Sequence, residues 1–120
     1  MAQILIVDDS PLMRAELENA FAEFDVTTAE DGEKALKHLA GDDQVKLIIT
    51  DMNMPIMSGL DMLEHIRSEM DNHSVKVVVM STESNNILKQ RCKELKISGW
   101  VLKPLQVDAL VPVVKKLMGV

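Results

Sequence analysis

Reactive and charge-bearing side chains stand together in four short stretches of the sequence: Asp8-Asp9, Asp51, Ser81-Thr82 and Lys103-Pro104. Singly, each has a plain structural reading, since an acidic pair is most often a solvated turn and Lys-Pro most often a loop. Brought to one point they mean something else. Two carboxylates ~4 Å apart repel by about 4 kcal/mol at an effective dielectric of about 20. A hard divalent cation relieves such repulsion, and Mg2+ favours one or two carboxylates together with water and phosphate oxygens. Lys103 would add a mobile positive point charge, and the hydroxyl of Ser81 a donor for an anionic oxygen. A carboxylate flanked by such groups is equipped to attack phosphorus, so the set suggests phosphoryl transfer to an aspartate.

Whether the four stretches meet depends on the elements that carry them. Nearly continuous apolar runs occur at Ile4-Leu5-Ile6-Val7, Val26-Thr27-Thr28-Ala29, Leu47-Ile48-Ile49-Thr50, Val77-Val78-Val79-Met80 and Trp100-Val101-Leu102. Such runs are expected of strands covered by helices on both faces. Between them lie helical stripes: Met13, Leu17, Ala20, Phe21 and Phe24; Leu60, Leu63, Ile66 and Met70; Leu88, Cys92 and Leu95; Leu110, Val113, Val114 and Leu117. Ser10 before Pro11 reads as an N-cap and first helical position, Asp31 opens a short second helix, and Ser58 with Asp61 has capping-box spacing. Pro112 comes too late to be a first-turn proline, so the last helix is expected to start late or to bend there. The pattern predicts five β–α pairs in strict alternation, hence an α/β fold with a doubly wound, five-stranded parallel sheet and helices on both faces. All four reactive stretches then fall at the carboxyl ends of strands, the edge where such sheets place their functional crevice.

The 120 residues are read as one domain, 1–120, with 47% hydrophobic and 27% charged residues, values that exclude a disordered chain. Thirteen basic against nineteen acidic residues leave a net charge of −6, which argues against nucleic acid as a partner. Only four consecutive apolar residues precede Asp8, and no run approaches the roughly 20 needed to span a membrane. A cytoplasmic monomer with no membrane contact is therefore expected. Cys92, the sole cysteine, forbids an internal disulfide, suits a reducing compartment and lies on an apolar stripe, so it is expected to be buried. Met13, Met62 and Met70 are read as core filling, and His38, His65 and His73 as solvated surface residues without a ligand set.

Five stretches belong together: Ile6-Val7-Asp8-Asp9-Ser10, Ala29-Glu30-Asp31-Gly32, Asp51-Met52-Asn53-Met54-Pro55, Met57-Ser58-Gly59-Leu60 and Gly99-Trp100-Val101-Leu102-Lys103-Pro104. With them the chain resembles, over its whole length, the receiver domain of two-component response regulators, most closely the single-domain chemotaxis (CheY) type. The resemblance implies the flavodoxin-like (β/α)5 receiver fold, with strand order 2-1-3-4-5. It implies Asp51 as phospho-acceptor, Mg2+ held by Asp9, Asp51 and the backbone carbonyl of Asn53, and Asp8 acting through water. Lys103 would contact the phosphoryl group, and the Lys103-Pro104 bond would be cis. An ungapped match from Asp51 to Lys103 puts Ser81 on the family's switch hydroxyl, Thr82 on the next and usually small position, and Glu83 on the one after. The bulk of Thr82 is a departure that bears on donor access and phosphorylation rate. Ser58 stands where Asp is common and caps a helix equally well. Trp100 falls on the switch aromatic, often Tyr or Phe, and its larger ring is expected to turn inward less completely.

By the same resemblance the chain would be a phosphorylation-activated switch that assists its own phosphorylation and dephosphorylation without being an enzyme. A histidine kinase, CheA-like, would be the phospho-donor, and a dedicated phosphatase a further partner. The target would be a protein met through the helix-4/strand-5/helix-5 face, the flagellar motor switch protein foremost, with a non-chemotaxis phosphorelay left open. No residues follow the fifth helix to form an effector, so the signal is expected to leave by protein contact, with Val107, Val111 and Pro112 as an apolar patch on that face. Two other classes fit less well. A Mg2+-dependent phosphohydrolase with an aspartyl nucleophile favours a second acid two residues on, where this chain has Asn53. A flavodoxin-like FMN carrier needs a phosphate loop after strand one, where Asp8-Asp9 has the wrong charge, and the chain has no Tyr to stack on a flavin.

Overall fold

A strand that is apolar on both faces must be covered on both, and the first strand settles the architecture. The computed structural model describes residues 3–42, 44–82 and 85–120, and in it all four residues of β1 (Ile4–Val7) are fully buried. The chain continues through α1 (Pro11–Ala20), β2 (Val26–Ala29), α2 (Gly32–Gly41), β3 (Leu47–Asp51), α3 (Gly59–Arg67), β4 (Lys76–Ser81), α4 (Asn86–Glu94), β5 (Gly99–Leu102) and α5 (Val107–Met118). The five strands form one parallel sheet in the order β2-β1-β3-β4-β5, so the strand order reverses between β1 and β3. Val7 pairs with Thr50, which brings the next residues, Asp8 and Asp51, out side by side.

Alternation along the strands builds two cores. Leu5, Val7, Ile48, Val77 and Val79 pack beneath α2, α3 and α4 with Leu39, Met62, Ile66 and Cys92. Ile4, Ile6, Leu47, Ile49, Val78 and Met80 pack beneath α1 and α5 with Leu17, Phe21, Leu110 and Val114. Each fully buried aliphatic side chain contributes about 1.5–3 kcal/mol, so these two layers dominate the favourable side of folding. Helix starts follow from their caps: Ser10 accepts from the Met13 N–H, Asp31 from Lys34, Ser58 from Asp61, and Asn85 from Ile87 and Leu88. Each cap stabilises its helix by about 1 kcal/mol.

At the amino edge of the sheet lies Arg67, a buried charge that pattern reading did not single out. Its guanidinium donates to four main-chain carbonyls, those of Asn72 (3.0 Å), Val75 (2.8 Å), Leu95 (2.9 Å) and Lys96 (3.3 Å). It thereby ties the α3–β4 connection to the α4–β5 connection. Burial pulls its pKa below the ordinary arginine value, and the four carbonyls supply the hydrogen bonds that keep the charge tolerable.

Several expectations are corrected in detail. The stripes of α1 and α3 run past the helices: Phe24 and Met70 lie beyond the last helical residues yet still pack on the cores. Of the two readings of the last helix only the late start is excluded, because α5 begins at Val107 and runs through Pro112, which can offer the Asp108 carbonyl no N–H. Val113 is exposed, and Val107 and Val111 are half-buried against the α1–α5 core, so these two are packing residues more than a free patch. His38 and His65 are half-buried; only His73 is exposed, beside Asp71. His38 sits in the last turn of α2, with Nε2 3.5 Å from the carboxylate of Asp42. Cys92 is fully buried, and burial pushes its thiol pKa up.

Candidate functional site

The reversal of strand order opens the carboxyl edge of the sheet between β1 and β3, and the four reactive stretches line it. Asp8 follows β1, Asp51 ends β3, Ser81 ends β4 and Lys103 follows β5. Asp8, Asp9 and Asp51 each bring a carboxylate oxygen within 4.8 Å of the others. The Lys103 Nζ reaches 3.1 Å from Asp51 Oδ2 and 3.4 Å from Asp8 Oδ2. Asp8 is 0% and Asp51 5% exposed, whereas Asp9 and Asn53 face solvent.

Here, among the described residues, the Lys103 ammonium stands against three carboxylates, and Asp51 is the carboxylate whose ionisation is shifted. Burial raises its pKa, and the neighbouring Asp8 charge raises it further. The Lys103 ammonium and the N–H of Asn53, 3.3 Å from Oδ1, pull the other way without offsetting the rise. For Lys103 burial alone would lower the pKa, but the hydrogen bonds and charges of Asp51 and Asp8 outweigh it and hold the amine above its ordinary value. The site therefore carries surplus negative charge and all-oxygen donors, a set that fits Mg2+.

Local structure fixes these groups from behind. The Ser10 N–H donates to Asp8 Oδ1 at 2.9 Å, and Arg14 Nη1 donates to the Asp8 carbonyl at 2.7 Å. Thr50 Oγ1 donates to the Asp51 carbonyl at 2.9 Å. Gly59, at the first turn of α3, packs so close behind Asp51 that a Cβ there would stand 2.5 Å from the Asp51 carbonyl oxygen. The sequence presents Gly59 only as a motif letter; its physical role appears once β3 and α3 are docked. Arg14 and Thr50 were likewise missed, because nothing in their spacing marks them.

The hydroxyls diverge. Ser81 is fully buried at the end of β4, and its carbonyl accepts the Lys103 N–H at 2.8 Å, while Thr82 is exposed. Glu83 lies outside the described residues. The Lys103-Pro104 peptide bond is cis. Trp100 is half-buried on the face shared with Val77 and Val79, one strand away from Ser81. Among the described residues no helix is long and apolar enough to cross a membrane.

Comparisons with known proteins agree with this geometry. Residues 4–115 match the family described as the response regulator receiver domain. A two-component response regulator of Oryza sativa is 34% identical over 105 residues, covering 86% of this chain and 78% of its own. A chemotaxis protein CheY homolog of Campylobacter jejuni is 28% identical over 120 residues, covering 98% and 92%. The solved structure of Vibrio cholerae chemotaxis protein CheY4 superposes with a TM-score of 0.87 at 28% identity, covering 98% of each chain. A parallel sheet whose order turns at an acid-lined edge, in a chain that matches this family nearly from end to end, leaves one assignment: the protein belongs to the response regulator receiver domain family.

Proposed function

We propose that the domain is a phosphorylation-activated switch that takes a phosphoryl group on Asp51 from a histidine kinase. The observation that carries this reading is the convergence of Asp8, Asp9 and Asp51 on one point with the Lys103 ammonium between two of them. Asp9, Asp51 and the backbone carbonyl of Asn53 would hold Mg2+, with Asp8 acting through water. When bound, the ion neutralises the carboxylates and the incoming phosphoryl oxygens. A carboxylate oxygen of Asp51 forms the new bond to phosphorus as the bond to the donor's histidine nitrogen breaks. Lys103, already paired with Asp51, steadies the negative charge on the phosphoryl oxygens. The Ser81 hydroxyl then turns toward the new oxygens, and Trp100, on the same face of the next strand, follows into the space released.

Output would leave by protein contact through α4, β5 and α5, where Leu102 and Val113 are exposed apolar residues. The CheY names among the relatives support a place in chemotaxis; a CheA-like kinase as donor and a flagellar motor switch protein as target are what the resemblance implies. The rice relative supports the wider class of phosphorelays equally.

The test is transfer of labelled phosphate from acetyl phosphate or a phosphorylated kinase in the presence of Mg2+. Wild type should take up one label per chain, and Asp51→Asn none while keeping its circular dichroism spectrum. Undiminished labelling of Asp51→Asn would remove the assignment. Steady turnover of p-nitrophenyl phosphate would favour a hydrolase instead.

A further inference from the structure

Trp100 carries an internal conflict. Its ring packs against the core beneath α3 and α4, yet its indole N–H is buried with no acceptor among the described residues. A buried unpaired donor raises the energy of the conformer that contains it. Something must hold the ring there. Lys89 of α4 places its Nζ 5.7 Å from the ring centroid, within the range at which an ammonium is attracted to an aromatic face. Strand pairing sets Trp100 opposite Val79, and alternation puts Ser81 on the same face two residues on. Both Asp51 oxygens are engaged, Oδ1 by the Asn53 N–H and Oδ2 by Lys103, so this is the conformer of the free carboxylate.

We propose that Lys89 is a latch on Trp100, whose ammonium holds the indole in the free-carboxylate conformer and so sets the threshold for switching. The inference rests on the reading of Trp100 as the aromatic that moves when Asp51 is phosphorylated. By linkage, a contact that favours the free-carboxylate conformer weakens binding of a phosphoryl group by the same factor. A cation at this position makes the switch harder to throw, and neutralising it makes the switch easier to throw. The latch acts on populations and touches none of the reacting atoms.

Trp100 is the only tryptophan, so its quenching by neutral acrylamide reads the latch directly. Wild type, Lys89→Met and Lys89→Arg are compared first without metal, then in titrations with beryllium fluoride and Mg2+. Lys89→Met should be quenched more readily than wild type and should bind the mimic about two- to five-fold more tightly, as expected for loss of an exposed cation–π contact. Lys89→Arg should stay with wild type. Lys89→Gln repeats the measurement if the Met variant folds poorly by circular dichroism. Quenching and mimic affinity in the neutral variants equal to those of wild type would overturn the latch, as would Lys89→Arg behaving like Lys89→Met. Labelling of wild type by acetyl phosphate is read in parallel. Its failure would defeat the phospho-switch reading, while the metal-free quenching comparison, which needs no phosphoryl group, would still judge the latch.

Discussion

Two edges of the same sheet bury charge and treat it in opposite ways. At the amino edge Arg67 is 7% exposed and spends its guanidinium on four main-chain carbonyls, which leaves it satisfied and with little left to bind. At the carboxyl edge Asp8 and Asp51 are as deeply buried, but they face each other and Asp9 with, among the described residues, the Lys103 ammonium between the two buried carboxylates. Burial does not separate a structural charge from a functional one. Surplus does: a site with uncompensated negative charge gains energy from a bound cation, and a saturated one does not.

The comparison predicts opposite signs for removal of a charge at the two edges. The largest effect belongs to Arg67→Ala, which strands four main-chain carbonyls, that of Val75 buried, and should cost about 3 kcal/mol or more in urea unfolding. A cost below 1 kcal/mol would mean that water replaces the guanidinium, and the contrast would fail. Gly59→Ala comes next, because its Cβ would meet the Asp51 carbonyl oxygen at 2.5 Å. Relief requires α3 to shift from β3, at about 1–3 kcal/mol. The variant should also take up phosphate more slowly, since the displaced residue is the proposed acceptor.

Smaller, and of the other sign, is Asp51→Asn. With a chelator present at neutral pH it should stabilise the domain by an amount on the order of 1 kcal/mol, by removing a charge from a repulsive cluster. The pH dependence follows from the raised pKa of Asp51. As the pH climbs past the ordinary value near 3.8, the unfolded chain releases this proton first. Stability contributed by Asp51 is therefore full below that value and is lost as the pH rises through the folded-state pKa. Asp51→Asn should lack this component, which urea midpoints measured across the acid range will show. The smallest effect is a control. Arg91 pairs with Glu64 and Glu94 on the exposed surface, so Arg91→Ala should leave the midpoint within error, in contrast to the arginine at the amino edge.

Much of the carboxyl edge was legible in the sequence because strand ends are marked by composition. Apolar runs stop abruptly at Asp8, Asp51 and Ser81, and in a parallel sheet all such stops fall on one side. Arg67 was not legible for the converse reason. A basic residue in the last turn of an amphipathic helix has the same local pattern whether it points to water or into main-chain carbonyls. Val113 misled in the same way, since it shares a helical stripe with Leu110 and Val114 yet faces solvent. Periodicity reports an angle around the helix and not how far the neighbouring element extends.

The sequence by itself determined the alternation of strands and helices, the parallel sheet and the set of side chains at its carboxyl edge. Those follow from local pattern and from the handedness of β–α–β crossovers, which need no knowledge of packing. Only the tertiary structure decided which charges are compensated, why position 59 admits no side chain, and that Lys89 stands over Trp100. Those depend on distances between residues far apart in the chain, and such distances are set by how whole helices dock on the sheet. The energies that make the site responsive are differences between close contacts, so they appear only once the elements are packed.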